Sequence, residues 1–347
     1  MGLAPYPWLE RPAETLSKML DKLPGGVLIY GPRGCGVFDL ACRFAAAVVC
    51  KRPVDGAPCG ECAECKLFFS GNHPDVRYVL SETEAALHPQ PWSGKFGNLP
   101  KGKSLSKQIL IEQVRGIGEY LSVTGHRSEK RAVVIYPADS MSADQSSALL
   151  KTLEEPPVGA VLILAADDIN SILPTIRSRC QLVRVSPPTR EQGIAYLKSQ
   201  KVRSPESELT RFAGRPLLIH EADPSLLLDK KDEMLFLGLL AKGAQLTSAE
   251  VLNAVKKDIP VGPVLSLMQR WYWDLLAEVS GAEPRYFPEY AAQYKRQAQG
   301  LEFNALYSFN EQLLNANRSK DHPLSKKLVI QDLFISWANL LKSAAKH

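Results

Sequence analysis

Five short apolar runs alternate with helical patterns along the first half of the chain. Four or five consecutive apolar residues are typical of a strand buried on both faces, and strands separated by helices favour a parallel sheet. We therefore predict an α/β domain with helices on both faces of the sheet. The predicted strands span residues 27–30, 76–80, 132–136, 161–164 and 181–185, and the predicted helices between them span 39–49, 109–122 and 143–155.

Beyond residue 187 the pattern is helical, with no convincing strand. Long amphipathic runs cover residues 263–280, 301–316 and 323–342. Packing in the core is the expected role of both Trp271 and Trp273. Because the two residues fall on different faces of the first of these runs, availability of at least one of them to a partner is the alternative.

A glycine-rich turn, Gly31-Pro32-Arg33-Gly34-Cys35-Gly36-Val37-Phe38, joins the first predicted strand to its helix. Strand, turn and helix in this order are the context of a phosphate-binding loop. In a working loop the last glycine is followed by a lysine that reaches the phosphates and by a Ser or Thr that ligates Mg²⁺. Val37 and Phe38 hold those positions here and can do neither. The turn is therefore a degenerate P-loop or a chance match to the spacing of Gly31 and Gly36.

The predicted strand 132–136 lacks the acidic residues that complete an ATPase site. In P-loop ATPases such a strand ends in an Asp that positions Mg²⁺, often with a Glu that activates the attacking water. Tyr136 and Pro137 follow here instead, which makes a degenerate Walker B sequence. Together with Val37 and Phe38, these residues predict that no ATP is bound for hydrolysis on this chain and that it has no intrinsic ATPase activity.

Four cysteines follow the first helix with the spacing C-x₈-C-x₂-C-x₂-C, at Cys50, Cys59, Cys62 and Cys65. Cysteines separated by two residues can direct both thiolates to one ion, and four thiolates suit tetrahedral Zn²⁺. We predict a zinc module of about residues 50–66, and a structural zinc ion, because four protein ligands leave no position for a substrate. An iron–sulfur cluster and unliganded thiols are the alternatives.

The composition is that of an ordinary soluble protein. The 347 residues are 45% hydrophobic and 23% charged, and the net charge of +5 permits a nucleic-acid or acidic partner without arguing for one. With no signal sequence and no run of about 18 apolar residues, we predict a cytoplasmic protein without membrane contact. We expect the proline-, glycine- and lysine-rich segment 84–107 to be an exposed loop, with nucleic-acid contact as the alternative.

Three motifs carry a resemblance to a known family. They are Ala-Leu-Leu-Lys-Thr-Leu-Glu-Glu-Pro-Pro at 148–157, Leu-Pro-Thr-Ile-Arg-Ser-Arg-Cys at 173–180, and the four-cysteine insertion. With them the chain resembles the bacterial clamp-loader family of the AAA+ superfamily, strongly over about residues 1–190. The resemblance implies an AAA+ RecA-like domain over 1–187, a small helical lid over 188–228 and an all-α collar for oligomerisation over 229–347.

The resemblance also implies a role for Arg179. Clamp loaders are rings in which ATP bound to one subunit is completed by an arginine from its neighbour, within a Ser-Arg-Cys sequence that here is Ser178-Arg179-Cys180. A guanidinium stays charged, and its planar fork can stabilise charge on a transferred phosphoryl group. Arg179 is therefore the expected catalytic residue, as an arginine finger in trans. An ion pair within its own fold and simple solvation are the alternatives, and Arg177 is the competing residue.

By the same resemblance we expect a non-catalytic clamp-loader subunit of the bacterial replicative DNA polymerase III holoenzyme. The implied partners are the gamma/tau ATPase subunits and delta and, indirectly, the sliding clamp and primed DNA. Two other hypotheses stay open. One is a weak stand-alone ATPase, and the other is a zinc-dependent DNA-binding or architectural protein.

Overall fold

A computed structural model of the chain describes residues 2–88, 105–122, 127–220, 228–255, 259–318 and 326–344. The chain divides into two compact units, Met1–Leu209 with Gly214–Glu221, and Thr210–Ala213 with Ala222–His347. This division keeps residues 188–209 with the sheet, whereas the resemblance implies a separate lid there. The three-domain boundaries therefore stay a prediction.

The first unit is built on a five-stranded parallel sheet with the strand order β2-β3-β4-β1-β5. Strand β1 lies between β4 and β5, so the glycine-rich turn that follows it lies at the C-terminal ends of the strands. All five predicted strands are confirmed to within two residues, and so is the predicted α/β fold class. The strands are β1 Gly26–Tyr30, β2 Val76–Leu80, β3 Arg131–Tyr136, β4 Ala160–Ala166 and β5 Gln181–Arg184.

Helices cover both faces of this sheet. Successive strand residues point to opposite faces, so Val27 and Ile29 enter one buried cluster while Leu28 enters another. Each cluster buries apolar side chains of helices that pack on that face, which is why β1, β3 and β4 consist almost entirely of apolar residues. The helices of the first unit are α1 Glu10–Ser17, α2 Val37–Val49, α3 Ala63–Phe69, α4 Glu82–Leu87, α5 Ile111–Ser122, α6 Ala143–Glu154, α7 Pro174–Arg177 and α8 Arg190–Ser199. Helix α9 Pro205–Arg211 follows, and its last two residues belong to the second unit.

The prediction of a loop over residues 84–107 is wrong at its start, where α4 forms. The Ser81 side chain caps this helix by accepting a hydrogen bond from the Glu84 N–H. The helix is short and its sequence is mostly Glu and Ala, so it carries no apolar periodicity. Residues 89–104 of the predicted loop, including Lys95, Lys101 and Lys103, lie outside the described residues, while 105–107 are described and belong to no helix or strand.

The second unit is helical throughout its described part. Its buried core contains Phe236, Trp271, Phe334 and Trp337. Trp273 is 53% exposed, while Trp271 is fully buried, which confirms that the two indole rings lie on different faces of one helix. The helices of this unit are α10 Lys230–Lys242, α11 Ser248–Ala254, α12 Val261–Val279, α13 Ala291–Gln297, α14 Phe303–Arg318 and α15 Lys326–Ala344.

A buried carboxylate on α12, Asp274, organises the segment that follows this helix. Its oxygens accept hydrogen bonds from the backbone N–H groups of Arg285, Tyr286 and Phe287 at 2.7, 2.9 and 2.6 Å. We predict that Asp274→Ala lowers the free energy of unfolding of the second unit by about 3 kcal/mol, because buried donors left without acceptors cost about 1–3 kcal/mol each. Denaturant unfolding followed by tryptophan fluorescence measures this loss.

The matched control is Asp274→Asn, which keeps one acceptor oxygen and should lose less stability than the alanine variant. Equal stability of Asp274→Ala and the parent chain would contradict the assigned role of this carboxylate.

Candidate functional site

The glycine-rich turn keeps the shape of a phosphate-binding loop. Gly34 and Gly36 have left-handed backbones with φ of 80° and 90°, which a residue with a Cβ rarely adopts. Two carbonyl groups of the turn accept hydrogen bonds from neighbouring segments. Trp8 donates from Nε1 to the Cys35 carbonyl at 2.9 Å, and the Leu217 N–H donates to the Gly34 carbonyl at 3.2 Å.

Apolar and aromatic side chains take the positions of the polar groups that a working loop needs. Val37 and Phe38 begin α2 and are only 3% and 4% exposed. The Phe38 ring stacks on Tyr136, with centroids 5.0 Å apart, and lies 4.6 Å from the His88 ring. The degenerate P-loop and the degenerate Walker B strand, which continues into Pro137, thus contact each other directly. The Tyr136 hydroxyl donates to Asp167 at 3.2 Å.

The arginine of the turn is paired with carboxylates of the same chain. Arg33 Nη1 lies 2.8 Å from Glu84 Oε1 and 3.8 Å from Asp167 Oδ2. Burial opposes ionisation of Glu84, but its bonds to His88 and Arg33 keep the pKa of this carboxyl below its usual value. The cation of the turn is therefore already bound by Glu84.

A cavity of about 260 Å³ lies beside the start of α2. Its described lining contains the carboxylates of Asp39 and Asp167 and no lysine or arginine. Burial raises the pKa of Asp39, and burial together with the nearby Asp139 raises the pKa of Asp167 to about 7. The described lining of this cavity therefore lacks the lysine or arginine that would bind a polyphosphate.

The raised pKa of Asp167 predicts a pH-dependent stability. The folded pKa of about 7 exceeds the ordinary value of 3.8, so the folded state holds the proton more tightly and stability falls as pH rises between these values. Asp167→Asn removes this loss and keeps an acceptor for Tyr136. We expect the variant to gain stability over the parent as pH rises from 5 to 8, by at most about 1.4 kcal/mol per pH unit.

Thermal unfolding of both proteins across this pH range tests the expectation. A difference between the two unfolding temperatures that does not change with pH would contradict it.

All four predicted metal ligands meet in the structure. The sulfur atoms of Cys50, Cys59, Cys62 and Cys65 lie within 4.8 Å of one another. The Cys50–Cys62 and Cys59–Cys65 sulfur pairs are each 3.9 Å apart. Four ligands at the usual Zn–S distance of about 2.3 Å have sulfurs about 3.8 Å apart in a tetrahedron. The cluster can therefore hold one metal ion of this size.

Local structure accounts for this convergence. Cys50 ends α2, and Cys62 caps the start of α3, where its sulfur accepts a hydrogen bond from the Cys65 N–H at 3.4 Å. Backbone N–H groups, that of Cys62 first, lower the pKa of Cys59 to about 6. Such bonds favour the thiolate, which is the form that binds metal.

A charge network that the sequence did not predict anchors this module. The Glu64 side chain, between two of the cysteines, is fully buried, with His73 Nε2 at 3.1 Å, Arg127 Nε at 3.2 Å and Lys51 Nζ at 3.4 Å. A buried carboxylate is stable only when it is paired in this way. Because His73 precedes β2 and Arg127 precedes β3, the network ties the cysteine module to the amino edge of the sheet.

Arg179 lies between α7 and β5, at the N-terminal ends of the strands, whereas the glycine-rich turn lies at their C-terminal ends. Gln181 pairs with Val27 near the start of β1, whereas the turn follows Tyr30 at the end of β1. At about 3.3 Å per residue, Arg179 and the turn are about 20 Å apart along the strands. An arginine side chain cannot span this distance, so Arg179 cannot reach the turn of its own chain.

The residues on either side of Arg179 hold the backbone while its own side chain points outward. Cys180 is buried, and Ser178 donates from its hydroxyl to the Thr175 carbonyl at 3.1 Å. The Arg179 side chain is 35% exposed, and its Nη2 lies 2.6 Å from Glu154 Oε1. The alternative of an ion pair within the fold is thus present, and the pair is exposed enough for a partner to approach it.

The order of the sheet, with a P-loop-like turn after β1, defines an AAA+-type α/β domain. The sequence profile described as DNA polymerase III, delta subunit, matches residues 11–189, more than half of the chain. The chain belongs to this DNA polymerase III subunit family, within which the relatives it matches are named subunit delta′.

Two relatives show the extent of the similarity. The Pseudomonas aeruginosa DNA polymerase III subunit delta′ is 27% identical, over 96% of this chain and 98% of its own length. The Haemophilus influenzae subunit delta′ is 32% identical, over 62% of this chain and 61% of its own. A solved gamma subunit-related protein of Thermotoga maritima is 19% identical over 95% of this chain and 99% of its own, with a TM-score of 0.42.

One further property concerns membranes. Among the helices that the structure describes, none combines the length and the apolar character needed to cross a bilayer.

Proposed function

We propose that this chain is a non-catalytic subunit of the bacterial DNA polymerase III clamp loader and supplies Arg179 to the ATP site of a neighbouring subunit. The observation that carries the proposal is the position of Arg179. It is exposed at the amino edge of the sheet, about 20 Å from the turn of its own chain. An arginine placed there can complete a phosphate site only on another molecule.

The residues in and around the chain's own glycine-rich turn support the assignment of a non-catalytic subunit. Phosphoryl transfer needs a lysine and a hydroxyl at the loop and carboxylates that hold Mg²⁺. Here Phe38 and Tyr136 stack on each other, and Arg33 is paired with Glu84. The turn therefore offers a nucleotide neither the lysine nor the metal-binding hydroxyl. The chain then assists hydrolysis elsewhere and carries out none itself.

The proposed neighbours follow from the family. A clamp loader places the sliding clamp on primed DNA, so the chain would assemble with gamma/tau ATPase subunits and with delta. The helical residues 229–347 would form the collar that packs against equivalent collars. The exposed Trp273 gives this unit a large apolar side chain available for such packing.

We propose Zn²⁺ as the ion held by the four cysteines, in a structural role. Their sulfur spacing and backbone N–H bonds support tetrahedral thiolate ligation. An insertion of this length cannot bury a core of its own, and a metal supplies the missing folding energy.

Reconstitution tests the proposed function. Purified chain, gamma/tau and delta are mixed, and ATP-dependent loading of a fluorescent clamp onto primed DNA is followed. We expect the full set of subunits to load the clamp, and loading to fall at least tenfold when this chain is omitted. The estimate assumes that one ATP site of the incomplete ring cannot hydrolyse ATP, because a missing arginine finger lowers the rate by about 10³ or more.

Three outcomes would overturn the proposal. The first is unchanged loading without the chain. The second is ATP turnover by the isolated chain, which would make it a stand-alone ATPase. The third is salt-sensitive DNA binding by the isolated chain that disappears in the Cys59→Ser/Cys62→Ser variant, which would make it a zinc-dependent DNA-binding protein.

A further inference from the structure

We infer that Glu154 is a positioning residue for Arg179, orienting its guanidinium toward the nucleotide of the neighbouring subunit. The inference rests on the proposed function of Arg179. Glu154 Oε1 lies 2.6 Å from Arg179 Nη2, the distance of a charge-assisted hydrogen bond. The two residues belong to two of the three motifs that carry the family resemblance, those at 148–157 and 173–180, and the fold brings these motifs together at this pair.

Both ends of the pair are held on rigid backbone. Glu154 is the last residue of α6, and the neighbouring Leu153 packs against the start of β1, where a Cβ on Gly26 would lie 2.6 Å from its Cδ2. Cys180, next to Arg179, packs on the same glycine, with its sulfur 2.9 Å from that Cβ position. Because both segments rest on Gly26, the carboxylate and the guanidinium keep a fixed relative position.

The hydrogen bonds of Arg179 within its own chain do not use all of its N–H donors. Arg179 Nη1 donates to the Thr175 carbonyl at 3.0 Å and lies 3.4 Å from the Ser178 hydroxyl, while Nη2 contacts Glu154. An arginine carries five N–H donors, so these three contacts leave two for a phosphate oxygen. Glu154 and Thr175 thus hold the side chain from its own subunit without occupying its full donor set.

Orientation of this kind matters because electrostatic catalysis depends on groups already in place when charge develops. A free arginine on the surface samples many rotamers and must be ordered at each turnover. The pair with Glu154 restricts those rotamers before the neighbour's ATP arrives. Its contribution should therefore appear in the rate of hydrolysis and not in assembly of the ring.

The test is a double-mutant cycle in the reconstituted clamp loader with clamp and primed DNA. We expect Glu154→Ala to lower kcat for the site served by Arg179 by about tenfold, with KM for ATP and ring assembly unchanged. Glu154→Gln, which keeps an acceptor but loses the charge, should fall between the parent and the alanine variant. In the Arg179→Ala background, Glu154→Ala should cause no further loss, because a positioning residue acts only through the group it positions.

The matched control is Glu155→Ala, an exposed neighbour at the end of the same helix that should leave kcat unchanged. An undiminished kcat in Glu154→Ala, or an equal loss in the Arg179→Ala background, would overturn the inference while leaving the proposed function standing. Unchanged activity of Arg179→Ala itself would instead overturn the proposed function, so the two failures are distinguishable.

Discussion

Arg179→Ala is expected to slow ATP hydrolysis at the neighbouring site of the assembled clamp loader by about 10³-fold or more, the usual worth of an arginine finger. The side chain is exposed and packs in no core, so we expect the folded chain and the ring to be unaffected. Other ATP sites in the ring would continue to turn over. Single-turnover measurements should therefore show one slowly hydrolysed class of bound ATP. The steady-state rate of ATP hydrolysis should fall by the fraction that the site served by Arg179 contributes.

Two variants sharpen this experiment. Arg179→Lys keeps the charge but loses the planar fork, and it should recover only a small part of the rate. Arg177→Ala removes the competing arginine of the same motif and should have little effect. Full activity of Arg179→Ala, or a larger defect in Arg177→Ala, would contradict the assignment of Arg179.

Loss of two cysteines is expected to unfold the metal module while leaving the sheet in place. In small zinc peptides, metal binding supplies about 10–16 kcal/mol of folding free energy. Cys59→Ser/Cys62→Ser removes two of four ligands, so we expect one equivalent of zinc to be lost and the segment around residues 50–66 to become sensitive to protease. Elemental analysis and limited proteolysis measure the two effects.

The matched control is Cys42→Ala, which changes a buried cysteine of α2 outside the cluster. This variant should keep its bound metal. Iron in place of zinc, or an intact chain that contains no metal, would contradict the proposed structural zinc. Protease resistance of the double variant would show that Glu64 and its partners hold the module without an ion.

Strands β1, β3 and β4 were predictable because they are buried on both faces. Burial on both faces requires consecutive apolar residues, which the sequence displays directly at 132–136 and 161–164. The four cysteines were predictable for a similar reason, since their ligand spacing is local along the chain. Where the cause of a structure lies within a few residues, the sequence reveals it.

The unpredicted features depend on residues that are distant in sequence. The Glu64 network joins one side chain to His73 and Arg127, and Glu154 pairs with Arg179 across α7. The sequence contains no pattern that relates such partners, because only the fold brings them together. Helices α1, α3 and α4 were missed for a different reason, since each has eight residues or fewer, which is shorter than the window over which apolar periodicity identifies a helix.

The claim that this chain supplies an arginine and uses no ATP of its own is tested most directly by calorimetric titration of the isolated, metal-loaded protein with ATP and Mg²⁺, followed by an assay for turnover. We predict no binding heat and no hydrolysis, because Phe38 and Tyr136 stack in the site and Arg33 is already paired. Tight binding accompanied by turnover would contradict the account and show that this chain is itself an ATPase.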